Sequence, residues 1–367
     1  MGIRVLIAGG GTSGHINPAI AIADRIHKDD PESEIEFCGT QRGLESDIVP
    51  RAGYTLHPIR ARGMPSKPSI KMAKAILDFA AGRKTCIALI RSFKPDVVVG
   101  TGGYVCSSLV AAAYSEHIPV LLHEQNAFPG RSNRLMSRKA DIVCTSFPGM
   151  ESSFPKAKKI IFTGNPVKTI FFETTREAAR QELGIPDDTV MLLAMGGSLG
   201  ARTINQSVAS LADMVSGRNI RIILSAGKQQ FAALNKNLTM TNDNIEVREY
   251  IYNPHIYMAA ADLIICRAGA ITCAEVAALG VPSIMIPYPF AAGNHQTYNA
   301  RAFEKAGAAI LMKDAAVSAQ TLCDTVLPLL EDAKRMKNMC QGARSLAKPL
   351  ADRDIAAQVF KLAGNKK

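Results

Sequence analysis

Short apolar runs that lead into glycine punctuate the chain at Val5 to Ala8, Val97 to Val99, Met191 to Met195 and Leu263 to Cys266, and a stretch of helix length follows each. Further runs with strand length and composition lie at Ile35 to Cys38, Val120 to His123, Ile142 to Thr145, Ile220 to Ser225, Ile245 to Arg248 and Ser283 to Ile286. Apolar runs alternating with helical periods predict βαβ units, and so parallel sheets with helices on both faces. Right-handed crossovers then bring the strand-to-helix turns to one edge of each sheet, where open α/β sheets bind ligands.

The pattern restarts in mid-chain. Gly10-Gly11-Thr12-Ser13-Gly14 follows the first strand, and Gly196-Gly197-Ser198-Leu199-Gly200 follows a strand at Val190 to Met195. Each leads into an Ala/Ile/Val-rich amphipathic helix. This predicts an α/β protein of two Rossmann-like domains, residues 1–165 and 166–348, joined near Gly164-Asn165-Pro166, with ligand edges facing across a cleft. The charged segment 349–367 reads as a helix packing back across the junction. A length of 367 residues suits two domains. The uncharged stretches Val97 to Ser115 and Val276 to Asn294 reach membrane-spanning length, but glycine, proline and polar residues at turn positions make each a buried strand, turn and helix. With no signal peptide ahead of the first strand, a cytoplasmic protein is expected.

Composition narrows the chemistry. The chain is 47% hydrophobic and 20% charged, so it can bury a core, whereas aromatics make up only 6% and Trp is absent. Stacking platforms for bases are therefore not expected. Lys and Arg outnumber Asp and Glu by 43 to 32, for a net charge of +11, which points to acidic partners. Nine cations against the single acid Asp78 fall between Arg60 and Lys94, among them Lys67, Lys71 and Lys74, interleaved with apolar residues such as Ile76 and Phe79. That segment reads either as a solvated helix face or as a docking surface for anionic lipid; nucleic acid is disfavoured for want of a recognition motif. The eight cysteines include no CxxC pair and read as core thiols of a reducing compartment.

Gly9, Gly11 and Gly14 match GxGxxG between strand and helix, with Asn17 suited to the N-cap and Pro18 to the first helical position. A dinucleotide site also wants an acid closing the second strand; here that strand closes on Gly39-Thr40. The turn at Ser198 lacks the Gly-Lys-Ser/Thr ending of a nucleotide-hydrolysing P-loop. Gly100-Thr101-Gly102-Gly103-Tyr104 repeats the device. Arg267 to Thr272 lies where a strand gives way to a helix, a place suited to a diphosphate, and Glu275 is expected in the first helical turn. There it could complement the helix dipole, cap with Thr272, or accept the hydroxyls of a ribose. His15, inside the first glycine loop, is a candidate base. The polar run His123-Glu124-Gln125-Asn126 closes a strand, so at least one of its side chains is expected to face the ligand. No metal-ligand spacing is present.

Seven segments in order carry a resemblance: residues 10–18 (Gly-Gly-Thr-Ser-Gly-His-Ile-Asn-Pro), 100–104, 123–126, 164–167 (Gly-Asn-Pro-Val), 196–202 (Gly-Gly-Ser-Leu-Gly-Ala-Arg), 267–272 (Arg-Ala-Gly-Ala-Ile-Thr) and 295–300 (His-Gln-Thr-Tyr-Asn-Ala). Together they resemble the MurG family, the N-acetylglucosaminyltransferases of bacterial peptidoglycan synthesis. The resemblance implies a GT-B fold and inverting transfer of N-acetylglucosamine from UDP-N-acetylglucosamine to the C4 hydroxyl of lipid I, at the cytoplasmic face of the membrane. It implies no cofactor besides the sugar nucleotide. By motif, Thr12, Ser13 and Gly14 would contact the donor sugar and the acceptor, and Asn126 a sugar. Lys168 would help hold the nucleotide, Ser198 the diphosphate, and Ile251 would flank uracil. Ala270, Ile271, Thr272, Cys273, Ala274 and Glu275 would hold diphosphate and ribose, and Gln296 the donor sugar. Two positions depart from the family: Ser13 stands where glycine is common, and Lys168 where arginine is. A diacylglycerol glycosyltransferase and a UDP-sugar epimerase of the same fold are the neighbouring alternatives, the N-terminal motifs speaking against the first and the basic segment against the second.

Overall fold

The computed structural model describes residues 2–65, 67–197, 200–238 and 243–364, the side chains of 233 and 235–238 excepted, so Ser198 lies outside the described residues. The chain divides into two compact units: Met1–Val167 with Lys348–Lys367, and Lys168–Ala347.

The first unit runs β1 (Arg4–Gly9), α1 (Ser13–Asp29), β2 (Glu34–Gly39), α2 (Glu45–Arg51), β3 (Thr55–Pro58), α3 (Ile70–Phe93), β4 (Val97–Gly102), α4 (Gly103–Ser115), β5 (Val120–Glu124), α5 (Arg131–Met136), β6 (Ile142–Thr145) and β7 (Ile160–Phe162). Its seven strands lie in the order β3-β2-β1-β4-β5-β6-β7, all neighbours parallel. The second unit runs α6 (Ile170–Glu173), α7 (Arg176–Leu183), β8 (Val190–Met195), α8 (Arg202–Met214), β9 (Ile220–Ser225), α9 (Lys228–Leu238), β10 (Ile245–Arg248), α10 (Pro254–Ala260), β11 (Leu263–Cys266), α11 (Ala270–Leu279), β12 (Ser283–Met285), α12 (His295–Lys305), β13 (Ala309–Leu311), α13 (Ala319–Glu331) and α14 (Ala333–Ser345). Its sheet has the order β10-β9-β8-β11-β12-β13, again parallel. A last helix, α15 (Ala351–Gly364), returns to the first unit, where Ile355, Ala356, Val359 and Leu362 join Ile16, Ile22 and Ile26 of α1 in one core.

These are doubly wound sheets, each reversing its strand order beside its first strand, between β1 and β4 and between β8 and β11. Such a switch point leaves a crevice outside the carboxyl ends of the strands. The inner strands are apolar on both faces because helices cover both; Val5 to Ala8 and Val97 to Val99 have no exposed surface. The stretch Val97 to Ser115 resolves into β4 and α4, and no helix among the described residues is long and apolar enough to cross a membrane. β3, β7 and β13 were not expected from the sequence. Each is an edge strand of three or four residues, half covered or exposed along much of its length, too short for its side chains to set a strand period.

The basic segment forms α3. Ser69 caps it by accepting the Met72 amide at 3.3 Å, and Ala75, Gly82, Cys86, Ile90 and Phe93 make its buried stripe. The other face holds Lys71 and Lys74, with Lys67 just ahead of the helix start, and Ile70 is 79% and Leu77 68% exposed. Ile76 is exposed as well, whereas Phe79 is half-buried.

Candidate active site

In the first unit the turns after β1 and β4 lie side by side, since Ala8 pairs with Gly100 and Gly9 with Gly102. They fit too closely for side chains. A Cβ at Gly103 would stand 2.1 Å from the Gly10 carbonyl oxygen, and one at Gly102 only 2.9 Å from Nδ1 of His15. Gly102 and Gly103 also have φ of 108° and 79°, a region that disfavours other residues.

α1 starts at Ser13, five residues earlier than Asn17 and Pro18 suggest. Thr12 has the extended backbone of an N-cap, and its carbonyl accepts the amides of His15 at 3.0 Å and Ile16 at 3.2 Å. Pro18 sits inside the helix, where its missing N–H forgoes one backbone bond while its ring is buried in the core. Ser13, Gly14 and His15 therefore ride on the first helical turn, half-buried, with Thr12 exposed just before it.

His15 is held by one ring nitrogen. Nδ1 lies 3.0 Å from the Thr101 carbonyl and 2.9 Å from Oε1 of Gln125, and Nε2 has no partner among the described residues. The run His123 to Asn126 does not present itself as the sequence suggests. His123 and Glu124 have no exposed surface, Gln125 has 1%, and Asn126 at 9% is the nearest to the surface. A buried strand end tolerates these polar groups because each is hydrogen-bonded. Glu124 accepts the amides of Asn126 and Gly130 and the Asn133 side chain, all at 3.0 Å, and so shapes the loop into α5. Burial pushes His123 down to about 4, so its ring is neutral near pH 7.

Sequence reasoning missed Glu45. It is wholly buried, and its carboxylate accepts the Gly11 amide at 3.1 Å, the Thr40 amide at 3.0 Å and the Thr40 hydroxyl at 2.7 Å. Burial alone would raise its pKa, but these donors bring it below the ordinary carboxylate value. The only signal for it is the missing acid at the end of β2: the carboxylate comes six residues later, from α2, and props the glycine turn.

In the second unit Met195 pairs with Cys266, so the turns after β8 and β11 adjoin. Arg267 is not free for a diphosphate through Nη1. That atom donates to the carbonyls of Ile286 at 3.1 Å and Pro287 at 3.2 Å and lies 2.5 Å from Asp314, fixing the loop after β12. Asn299 of α12 holds the Ala268 carbonyl at 3.0 Å. Between these braces α11 begins with Gly269 as N-cap and no side-chain cap, with Ala270 buried and Ile271 and Thr272 half-buried on its first turn. Cys273 is buried and Ala274 half-buried.

Glu275 falls on the second turn of α11 rather than the first, so it neither caps the helix nor pairs with Thr272. It keeps some accessible surface, yet protein atoms crowd its carboxyl and no described residue hydrogen-bonds to it. Burial raises its pKa to about 8, with Lys168 pulling the other way. Lys168 is exposed and close enough to be felt by that carboxyl. Oε1 of Gln296, in the first turn of α12, accepts the Tyr288 amide at 2.8 Å. Ile251 is 6% exposed, and the accessible rings at its bend are Tyr250 and Tyr252, packed edge-on at 5.0 Å. Among the described residues no group of three or more His, Cys, Asp or Glu could hold a metal ion.

A parallel sheet with an anion-ready helix start and an isolated carboxylate, repeated restraint on a single histidine in the other unit, and the order of these parts can be set beside known proteins. Residues 5–145 match the glycosyltransferase family 28 N-terminal domain, and residues 191–358 its C-terminal domain. A curated relative from Desulforudis audaxviator (strain MP104C) is 44% identical over 99% of this chain and 99% of its own length. It is named UDP-N-acetylglucosamine–N-acetylmuramyl-(pentapeptide) pyrophosphoryl-undecaprenol N-acetylglucosamine transferase. The crystal structure of Acinetobacter baumannii MurG superposes with a TM-score of 0.81 at 29% identity, covering 98% of this chain and 99% of that one. The UDP-GlcNAc 2-epimerase of Neisseria meningitidis also superposes, with a TM-score of 0.69 over 98% of this chain and 99% of its own, but at 15% identity it shares the fold alone. With glycosyltransferase family 28 matched in both units and sequence identity sustained along nearly the whole length, the chain belongs to the MurG family.

Proposed function

We propose that this protein transfers N-acetylglucosamine from UDP-N-acetylglucosamine to the C4 hydroxyl of the muramoyl sugar of lipid I, giving lipid II in a single inverting step. The observation that carries the chemistry is the bare Nε2 of His15 on the first turn of α1. The acceptor oxygen attacks the anomeric carbon from the face opposite UDP, its proton passes to Nε2, and the bond to the diphosphate breaks with its electron pair going to UDP. Thr12, Ser13, Gly14 and Asn126 line the acceptor side. On the donor side the start of α11, with Gly269 as its N-cap, meets the diphosphate charge with Lys168, and Ser198 belongs to the same role. Glu275 accepts the ribose hydroxyls. Gln296, its carbonyl oxygen already engaged, offers its amide hydrogens to the donor sugar. Ile251 flanks uracil with its backbone, its side chain being buried.

The direct test is transfer of labelled N-acetylglucosamine to a lipid I analogue, with diacylglycerol and water as controls. Labelled lipid II analogue is expected; product on diacylglycerol with none on lipid I would overturn the reading. A steric variant tests the acceptor side. In Gly102→Ala the new methyl group displaces the His15 ring, and a shift of about 1 Å in a reacting group can cost about 10²-fold in rate. We expect kcat to fall by about that factor while UDP affinity, measured by calorimetry, stays the same.

The lipid-borne acceptor requires a surface that meets the bilayer, and α3 supplies one. Lys67, Lys71 and Lys74 have no acidic partner among the described residues, and Ile70, Ile76 and Leu77 stand exposed among them. Tyr114, 48% exposed on the neighbouring α4 with Lys139 4.1 Å from its ring, extends the same character. Each cation near an anionic surface contributes about 1 kcal/mol. Binding to vesicles containing phosphatidylglycerol is therefore expected to weaken as salt rises, and to be lost in the triple variant Lys67→Glu, Lys71→Glu, Lys74→Glu, with UDP affinity unchanged. Vesicle binding indifferent to both would return α3 to an ordinary solvated face.

A further inference from the structure

Every hydrogen around His15 can be placed from heavy-atom positions. Nε2 of Gln125 lies 3.0 Å from the His123 carbonyl and 3.0 Å from Nδ1 of His123, and its Oε1 lies 2.9 Å from Nδ1 of His15. The reverse amide orientation would set two oxygens face to face with no hydrogen between them, so Gln125 gives both its hydrogens to His123 and only accepts from His15. The Thr101 carbonyl, 3.0 Å from the same His15 nitrogen, can also only accept. At the far end, Nε2 of His123 lies 3.0 Å from the Gly164 carbonyl. Ser146 Oγ, 3.2 Å from that nitrogen, gives its own hydrogen to the Glu124 carbonyl at 2.8 Å.

We propose that Gln125 and His123 are positioning residues of the transfer: with the Thr101 carbonyl they keep the proton of His15 on Nδ1, so that Nε2 always faces the reaction as an acceptor. The inference rests on His15 being the base. It requires the two imidazoles to hold opposite tautomers, Nδ1–H in His15 and Nε2–H in His123. Because a primary amide does not ionise, the chain orients and does not carry protons. Once Nε2 takes the acceptor's proton, two carbonyl oxygens already face the Nδ1–H and share the positive charge. Burial of Gln125 and His123 removes water that could otherwise bond Nδ1 and let the ring turn over. Titratable groups on the elements packed around His15 include His123 and Glu124 at the end of β5, Tyr104 on α4 and Glu45 on α2, and the two carboxylates are already turned to backbone and side-chain donors.

Long-range ¹H–¹⁵N NMR on histidine-labelled full-length protein reads the tautomers without any substitution. The expected spectrum has His15 as Nδ1–H and His123 as Nε2–H, and a His15 carrying its proton on Nε2 would overturn the proposal. A second arm uses Gln125→Glu, which keeps an acceptor toward His15 but adds charge. The His15 titration followed by NMR should move up by about one pH unit or more, and the acid limb of kcat should move with it at constant donor KM. An unmoved His15 titration would overturn the positioning role. If the tautomers hold and the NMR titration moves while the kcat limb stays, it is the assignment of His15 as base that fails, not the hydrogen-bond chain.

Discussion

Replacing His15 by alanine lowers kcat about 10²–10⁴-fold and leaves the donor KM nearly unchanged, the loss expected when a positioned general base is removed. The split follows from placement: His15 lies on α1 of the first unit, and the groups proposed for the uracil, ribose and diphosphate lie in the second. A histidine base makes kcat rise with pH as the ring gives up its proton, and the variant should lose that limb. His15→Gln separates base from scaffold, since glutamine can still bond to the Thr101 carbonyl but cannot accept the proton. If His15→Gln retains most activity and the same acid limb, His15 is not the base. His123 and Glu124 cannot take its place, because both are wholly buried and bonded to protein groups.

The second large effect concerns Glu275. Glu275→Ala should weaken UDP binding by about 1–3 kcal/mol, as for a charged hydrogen bond lost from a buried site, and should abolish discrimination against 2′,3′-dideoxy-UDP. Retained discrimination would remove Glu275 from the ribose. A carboxyl with a pKa near 8 is largely protonated at neutral pH, so UDP binding should release a proton and tighten as pH rises toward about 8. Calorimetry in buffers of different ionisation enthalpy measures that proton directly. Stability moves the opposite way. Between the ordinary glutamate value and about 8 the unfolded chain gives up the proton and the folded chain keeps it, so stability falls with rising pH and levels off above about 8. Glu275→Gln lacks this loss. It should match the parent near pH 4.5 and exceed it above pH 8 by about 2–5 kcal/mol, read as a pH-dependent rise in Tm. A variant no more stable at high pH would show that the carboxyl is better solvated than its surroundings indicate.

The inner strands were legible because a strand covered on both faces is apolar along most of its length, and β6, β9 and β11 end on the residues that composition picks out, as does the edge strand β10, where Ile245 and Val247 alternate with Glu246 and Arg248. β3, β7 and β13 were not, since three or four residues at a sheet edge leave too few side chains to set a period. The start of α1 was misplaced by Pro18, a residue that signals a first turn by its local chemistry but is carried inside the helix by tertiary packing. The glycine turns marked where backbone segments pack too closely for side chains. What the sequence could not show was which polar side chains are used up by the protein itself: Arg267, His123, Glu124 and Gln125 look like ligand-facing groups until their partners, distant in sequence, are in view. Glu275 shows the reverse, a carboxyl open to a capping role by sequence that becomes distinctive because no described residue bonds to it.

The return of α15 has a consequence for how the chain is made. The second unit is inserted between two segments of the first, and Ile355, Ala356, Val359 and Leu362 leave the ribosome only after the whole of the second unit has done so. Until then the growing chain carries a first unit whose α1 has no cover for part of its apolar face, while the second unit already has all of its residues. The first unit, begun first, can therefore close its core only after the second has been made. A stop codon near residue 348 would release a chain able to complete its second unit while leaving the first with uncovered apolar surface for chaperones and proteases to find.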